Sequence, residues 1–324
     1  IIGNDFIFTI DSKGSVLKFS KNGKLEWKKN VYSRKEKKKV KKFSFSISHN
    51  TAYIFDDIGK YYAINIANGK IIWLKKNDNP FNSQIKISNN KIFVVDGDNK
   101  IICFFKIDGK KVWELKTQKP FIKTKKKLSL ILEDGFIIFS NTLGDINKVN
   151  LDTGETIWFV PTQNTLIPNQ TNFLETSDIV YFNNNIIFSN NFSELYSIDS
   201  QTGILNWKKN IKSILRPIII DDMIFTISKD GFLIVLDSKG KIIRSNYIFK
   251  EFKKRQIKKL NVEGFLIASD KAYITTNLGH ILICSINNGK IENIKQISRS
   301  KLSQPYIVNN KLYVLKNNSV IILD

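Results

Sequence analysis

The chain has 324 residues and carries 51 Lys and Arg against 29 Asp and Glu, a net charge of +22, with Arg confined to positions 34, 216, 244, 255 and 299. Its 42% hydrophobic content, including 23 Phe and 10 Tyr, excludes a disordered polymer. No run of about 18 apolar residues offers a transmembrane helix. The length allows two ordinary domains or one large all-β ring. Lysine is a hydrated point charge without the bidentate fork that grips phosphate or carboxylate. The surplus therefore reads first as a solvated basic surface, with attraction to an anionic membrane surface as its functional consequence.

Taken in order, the sequence repeats one pattern. It opens at Ile1-Ile2-Gly3, with almost none of a first strand, and continues into an apolar run at 6–10. Gly14 marks a turn, and Gly23 is followed four residues later by Trp27. The same Gly-to-Trp spacing returns at Gly69/Trp73, Gly109/Trp113, Gly154/Trp158 and Gly203/Trp207, which accounts for every Trp in the chain. Gly240 and Gly289 keep the turn, but Arg244 and Asn293 stand where the ring would be. Successive glycines are roughly 40–50 residues apart, the span of one propeller blade.

Within each copy, short apolar or alternating runs are separated by Asn, Asp and Gly, the signature of tight hairpins. A second strand is expected at 6–10, 52–55, 91–95, 136–140, 186–189, 223–227, 272–275 and 312–315. The turn before the third strand often carries Gly as well, at Gly14, Gly59, Gly144, Gly231 and Gly279, where a positive φ costs glycine nothing. The eighth copy stops at Ile321-Ile322-Leu323-Asp324, before its Gly and fourth strand. Residues upstream of Ile1 are expected to supply the missing outer strand.

The expected fold is all-β: a single domain over 1–324, an eight-bladed β-propeller of four-stranded antiparallel blades, the last incomplete. The Trp residues should sit largely buried at blade junctions. At Arg244 and Asn293 the expectation is looser packing or a substitute apolar contact. Cys103 and Cys284 fall inside apolar runs and read as buried free thiols. His49 and His280 lie beside turns and give no metal spacing. Aspartates such as Asp11, Asp152, Asp199 and Asp237 sit where Asp satisfies turn donors. No catalytic, cofactor-binding or metal-ligating set emerges. Three basic runs, 34–42, 123–127 and 250–259, fall between blades. They lack the interleaved aromatics of a nucleic-acid platform, so no nucleic-acid partner is expected.

Leu151-Asp152-Thr153-Gly154-Glu155-Thr156-Ile157-Trp158 and Ile198-Asp199-Ser200-Gln201-Thr202-Gly203-Ile204-Leu205-Asn206-Trp207 resemble the quinoprotein (PQQ-type) propeller repeat, and the resemblance covers nearly the whole chain. Two families share this repeat at eight blades. The quinone-dependent alcohol dehydrogenases are longer and use a calcium site, a general-base Asp and a disulfide of adjacent cysteines, none of which is visible here. The BamB family, lipoproteins of the outer-membrane β-barrel assembly machinery, matches the length of a bare ring.

That resemblance implies a non-catalytic scaffold without a cofactor, at the periplasmic face of the outer membrane; the alternatives are a PQQ-dependent dehydrogenase or its vestigial form, and a generic extracytoplasmic interaction propeller. A lipid anchor would lie upstream of Ile1. The implied partners are the periplasmic domains of the barrel-assembly protein BamA and unfolded barrel clients. The family docks through loops entering the fourth and fifth blades, which here correspond to Ile122, Thr124 and Lys125, then Glu175 and Ser177. Lys125 and Glu175 keep the charge type, whereas Thr124 and Ser177 depart from the pattern.

Overall fold

The computed structural model describes residues 6–119, 126–162, 175–192, 194–317 and 319–323. The chain divides into two compact units, Ile1–Leu174 and Glu175–Asp324. The first unit holds sheets at 6–30, 43–76, 86–116 and 130–160; the second holds sheets at 180–209, 218–247, 262–296 and 306–323. We number these blades 1 to 8. All are antiparallel meanders in sequence order, and each has four described strands except blades 1 and 8, which have three. This is the eight-bladed β-propeller class. In blade 8 the third strand is Ser319–Leu323, as expected. No helix of the described residues is long and apolar enough to cross a membrane.

The second strands fall where the sequence places them, for example at Phe6–Ile10, Lys91–Val95 and Met223–Ile227. With the third strands they hold most of the buried residues, and within each unit their apolar side chains pack between consecutive blades. Phe93 and Val95 of blade 3 join Ile137 and Phe139 of blade 4 in one cluster. Phe225 and Ile227 of blade 6 join Ala272 and Ile274 of blade 7 in another. Cys103 and Cys284 lie in these two clusters as free thiols. Burial pushes the first up to about 12 and the second to about 11.

The Gly-x-x-x-Trp spacing has a structural cause that the sequence does not display. In blades 1 to 7 the pairing of third and fourth strands slips by one residue just before the Trp position. Phe19 faces Leu25 while Lys18 faces Trp27, and Ile64 faces Ile71 while Ala63 faces Trp73. The intervening residue, Glu26 or Ile72, is the extra residue of a β-bulge, a device that bends a strand and re-aims the next side chain. Arg244 and Asn293 occupy the same register, opposite Val235 and Ile283.

The re-aimed indole reaches the following blade. Trp27 Nε1 donates to the Ile66 carbonyl, Trp73 Nε1 to that of Lys106 and Trp207 Nε1 to that of Ser238, each at 2.9 Å. A Cβ added at Gly69 would lie 2.9 Å from the Trp27 ring, and one at Gly109 2.8 Å from that of Trp73. At Gly154 and Gly240 the approach to Trp113 and Trp207 is closer still, 2.6 Å. These turn glycines thus have two reasons to be glycine: φ values between +66° and +80°, and a ring lying on the α-carbon.

All five Trp residues keep only a minority of their surface at the solvent. One expectation needs correction. At Arg244 the substitute contact is polar, not apolar: its guanidinium donates to the carbonyls of Ile286 and Asn287 in blade 7. It therefore takes over the indole N–H, while the Asn246 side chain lies over Gly289. At Asn293 the junction is looser, as expected. Asn293 is exposed and borders an open groove of about 390 Å³ lined by Tyr273, Ile281, Leu312 and Ile322.

The indole hydrogen bond can be isolated by comparing two substitutions that keep an aromatic ring. Trp73→Phe removes the donor to Lys106 and should lower unfolding stability by about 1 kcal/mol beyond the change in ring size. Trp113 Nε1 is buried without an acceptor, so Trp113→Phe should cost markedly less. Urea denaturation of both variants checks this, and equal losses would show that the bond contributes nothing.

Candidate functional site

Strand directions alternate within a blade, so the hairpin between strands two and three lies at the same end as the connection to the next blade. The hairpins at this end are held by a recurring polar residue. Asp11 Oδ1 accepts from the N–H groups of Lys13 and Ser15, Asp56 Oδ1 from Ile58 and Lys60, and Asp96 Oδ1 from Asp98 and Lys100. Asn141 and Asn190 do the same in blades 4 and 5. Burial raises the carboxyls of Asp56 and Asp96. Each is nevertheless committed to its own turn and serves structure rather than chemistry.

Of the expected docking residues, Ile122, Thr124 and Lys125 lie outside the described residues. The described chain resumes at Lys126 and Lys127, and Lys127 Nζ donates to the carbonyl of Phe43. Leu128 then exchanges backbone bonds with Asn82 and Gln84 ahead of blade 3. Glu175 and Ser177 belong to the segment leading into blade 5. Glu175 is fixed through its backbone: its N–H donates to Asn191 Oδ1 at 2.9 Å, and its carbonyl accepts from Asn191 N–H at 3.0 Å. Its side chain is half-buried.

Ser177 is only 1% exposed. Its hydroxyl accepts from Ser189 N–H at 2.9 Å and donates to the Asp178 carbonyl at 3.0 Å. The same seryl brace recurs as Ser83 with Val95 and Ser303 with Leu315. Ser177 is thus a repeat element, and the group left facing outward at this place is the Glu175 side chain.

Sequence reasoning missed the network that secures the first basic connection. Tyr32 Oη donates to Asp56 Oδ2 at 2.7 Å, and Lys60 Nζ lies 2.7 Å from Glu36 Oε1. Ser33 N–H donates to Glu36 Oε2 at 2.8 Å and Glu36 N–H to Ser33 Oγ at 3.3 Å, a reciprocal pair like that of a capping box, which closes the turn leading into the short helix α1, Glu36–Lys39. The Ser33-x-x-Glu36 spacing was the available signal; the partner Lys60 had none. Another unannounced pair joins Lys148 Nζ to Glu133 Oε2 at 3.2 Å, with side chains 4% and 9% exposed.

The hydrogen bond from Lys60, followed by that from Ser33 N–H, pulls the Glu36 carboxyl down to about 2 from its ordinary 4.5. A carboxyl depressed in the folded state contributes stability that is complete above about 4.5 and is lost as pH falls toward 2. The wild-type protein should therefore exceed Glu36→Gln in urea midpoint at pH 7, with the gap closing between pH 4.5 and 2.5. A gap independent of pH would refute the ion-pair account.

The fold defined by these blades, with the bulge, the Trp and the turn glycine, is that of PQQ-type propellers. The family model of the outer membrane protein assembly factor BamB matches residues 12–246. The chain belongs to that family. Among curated proteins no sequence matches.

Among solved structures, BamB from Moraxella catarrhalis aligns with a TM-score of 0.81 at 16% identity, covering 98% of this chain and 93% of that one. A computationally designed protein, Ika8, aligns at 0.71 with 11% identity over 99% and 94% of the two chains. A europium-containing methanol dehydrogenase aligns at 0.70 with 12% identity over 97% and 81%. At these identities the likenesses speak for the fold alone.

The dehydrogenase raises the question of a metal-bound quinone. Among the described residues no three His, Cys, Asp or Glu side chains converge to hold a metal. The two cysteines are buried on separate blades. His280 is buried against Phe252, with Nδ1 lacking a partner, and burial lowers its pKa. These residues do not fit such a group.

Proposed function

We propose that this chain is a non-catalytic scaffold of the outer-membrane β-barrel assembly machinery, acting as one domain over 1–324 at the periplasmic face of the outer membrane. Its partners would be the periplasmic domains of BamA and unfolded barrel clients. The observation that carries this reading is the family match over most of the chain. The buried carboxylates Asp56 and Asp96 support it as well, being tied into their own turns.

Docking would use the segments leading into blades 4 and 5. Ile122, Thr124 and Lys125 present an apolar-to-basic stretch, and Glu175 presents the opposite charge from a backbone clamped to Asn191. Ser177 contributes by holding that backbone, not by touching the partner. A rigid backbone under a single carboxylate favours a complementary basic side chain opposite it, since little ordering cost remains to be met on binding.

The test is co-purification with the periplasmic domains of BamA. The wild-type chain should be retained, and Lys125→Glu with Glu175→Lys should lower recovery at least tenfold, the scale of a lost charged contact at an interface. Ser177→Ala should act on stability instead. Unchanged recovery of the double variant would overturn the site, and absence of wild-type retention would overturn the partner.

A further inference from the structure

Two of the inter-blade connections share a construction that the family assignment does not call for. In the first unit, the connection from blade 1 to blade 2 leaves the outer strand Leu25–Asn30 and buries Tyr32 two residues later, with its ring against Gly14 of the hairpin. In the second unit, the connection from blade 6 to blade 7 leaves Ile242–Tyr247 and buries Phe249 two residues later, against Gly231. The far ends are fixed in the same way, by fully buried Val40 and by Leu260 at 4% exposure. Between the fixed points each connection forms one short helix, α1 or α2 (Lys254–Ile257), closed at its start by local hydrogen bonds. Each is a bracket clamped at both ends.

What the brackets present is almost wholly cationic. Arg34, Lys35, Lys38 and Lys39 are exposed on the first, as are Lys253, Lys254, Arg255 and Lys258 on the second. Of the two carboxylates within the brackets, Glu36 is engaged by Lys60 at 2.7 Å, and the exposed Glu251 has Lys250 at 3.9 Å. Those eight exposed cations make no ion pair among the described residues. The aromatic side chains of both segments, Tyr32, Phe249 and Phe252, point into the blades and are buried. At the opposite end of the blades the turns are built from Asn, Asp and Gly, as at Asn89-Asn90, Asn183-Asn184 and Asp221-Asp222. The opposite end carries exposed lysines too, Lys21, Lys24, Lys70, Lys239, Lys241 and Lys290 among them, but these stand one or two to a turn, whereas each bracket gathers four exposed cations within six residues.

We propose that each bracket is a binding surface for an anionic phospholipid bilayer. The proposal stands apart from the docking reading above and does not need it. Headgroup phosphates form a diffuse, mobile field of negative charge, which flexible lysine ammonium groups engage without geometric matching. A folded protein partner would call for aromatic or Arg anchors at the centre of the contact, and the exposed part of the brackets holds mostly Lys. A single-stranded nucleic acid would call for exposed rings on which bases stack, and here the rings are inside. No apolar side chain is presented for insertion, so the contact is peripheral and salt-sensitive.

The experiment is co-sedimentation of the intact chain with vesicles of phosphatidylcholine alone and of phosphatidylcholine with 30% phosphatidylglycerol at 0.1 M salt, a composition on the order used for anionic leaflets. Binding is expected only to the anionic vesicles, with loss at about 0.5 M salt. Lys35→Glu/Lys38→Glu/Lys39→Glu and Lys254→Glu/Arg255→Glu/Lys258→Glu should each weaken partitioning by roughly tenfold or more. Net charge alone is controlled by equal reversals at the opposite end: Lys21→Glu/Lys24→Glu/Lys70→Glu in the first unit and Lys239→Glu/Lys241→Glu/Lys290→Glu in the second. These should change partitioning far less. Thermal melts confirm that each variant is folded before it is compared. Absence of wild-type binding to anionic vesicles, or an equal loss in the controls, would overturn the proposal.

Discussion

A tryptophan N–H reaching from the outer strand of one blade to a turn carbonyl of the next is the contact on which the blade-to-blade order depends. It combines a ring, a donor and a glycine in one place. The ring covers the α-carbon of the turn glycine, the donor satisfies a carbonyl that would otherwise face only water, and the glycine permits both by lacking a side chain. None of this works unless the outer strand is bent toward its neighbour, which the one-residue bulge before each Trp accomplishes. Trp27 and Gly69 are far apart in sequence, yet the geometry between them is repeated by Trp73 with Gly109 and by Trp207 with Gly240.

Because the acceptor is backbone, the donor can change while the latch survives. Arg244 demonstrates this by serving the carbonyls of Ile286 and Asn287 with a guanidinium. Asn293 makes no such bond among the described residues, and there a groove lies open.

Blade number, strand order and the place of every Trp were legible in the sequence, because the Gly-x-x-x-Trp spacing and the Asn- and Gly-rich turns are local signals. The bulge was not, since a pairing slip leaves no mark on residue identity. For the docking residues, sequence placed Glu175 and Ser177 side by side but could not tell that one faces outward while the other braces Ser189. The basic runs were visible as composition. Their clamped construction was not, because Tyr32 and Phe249 acquire their role only against Gly14 and Gly231.

The two thiols give the molecule a pair of internal clocks. Cys103 is walled in by the second and third strands of the first unit and Cys284 by those of the second, both fully buried. With thiols held at about 12 and about 11, neither presents a thiolate at neutral pH. A maleimide or disulfide reagent can then react only through an opened form, so the labelling rate counts how often the surrounding blades part. With one cysteine in each unit and no other in the chain, mass spectrometry of the labelled peptides would time the opening of each half separately, with no probe added by mutation.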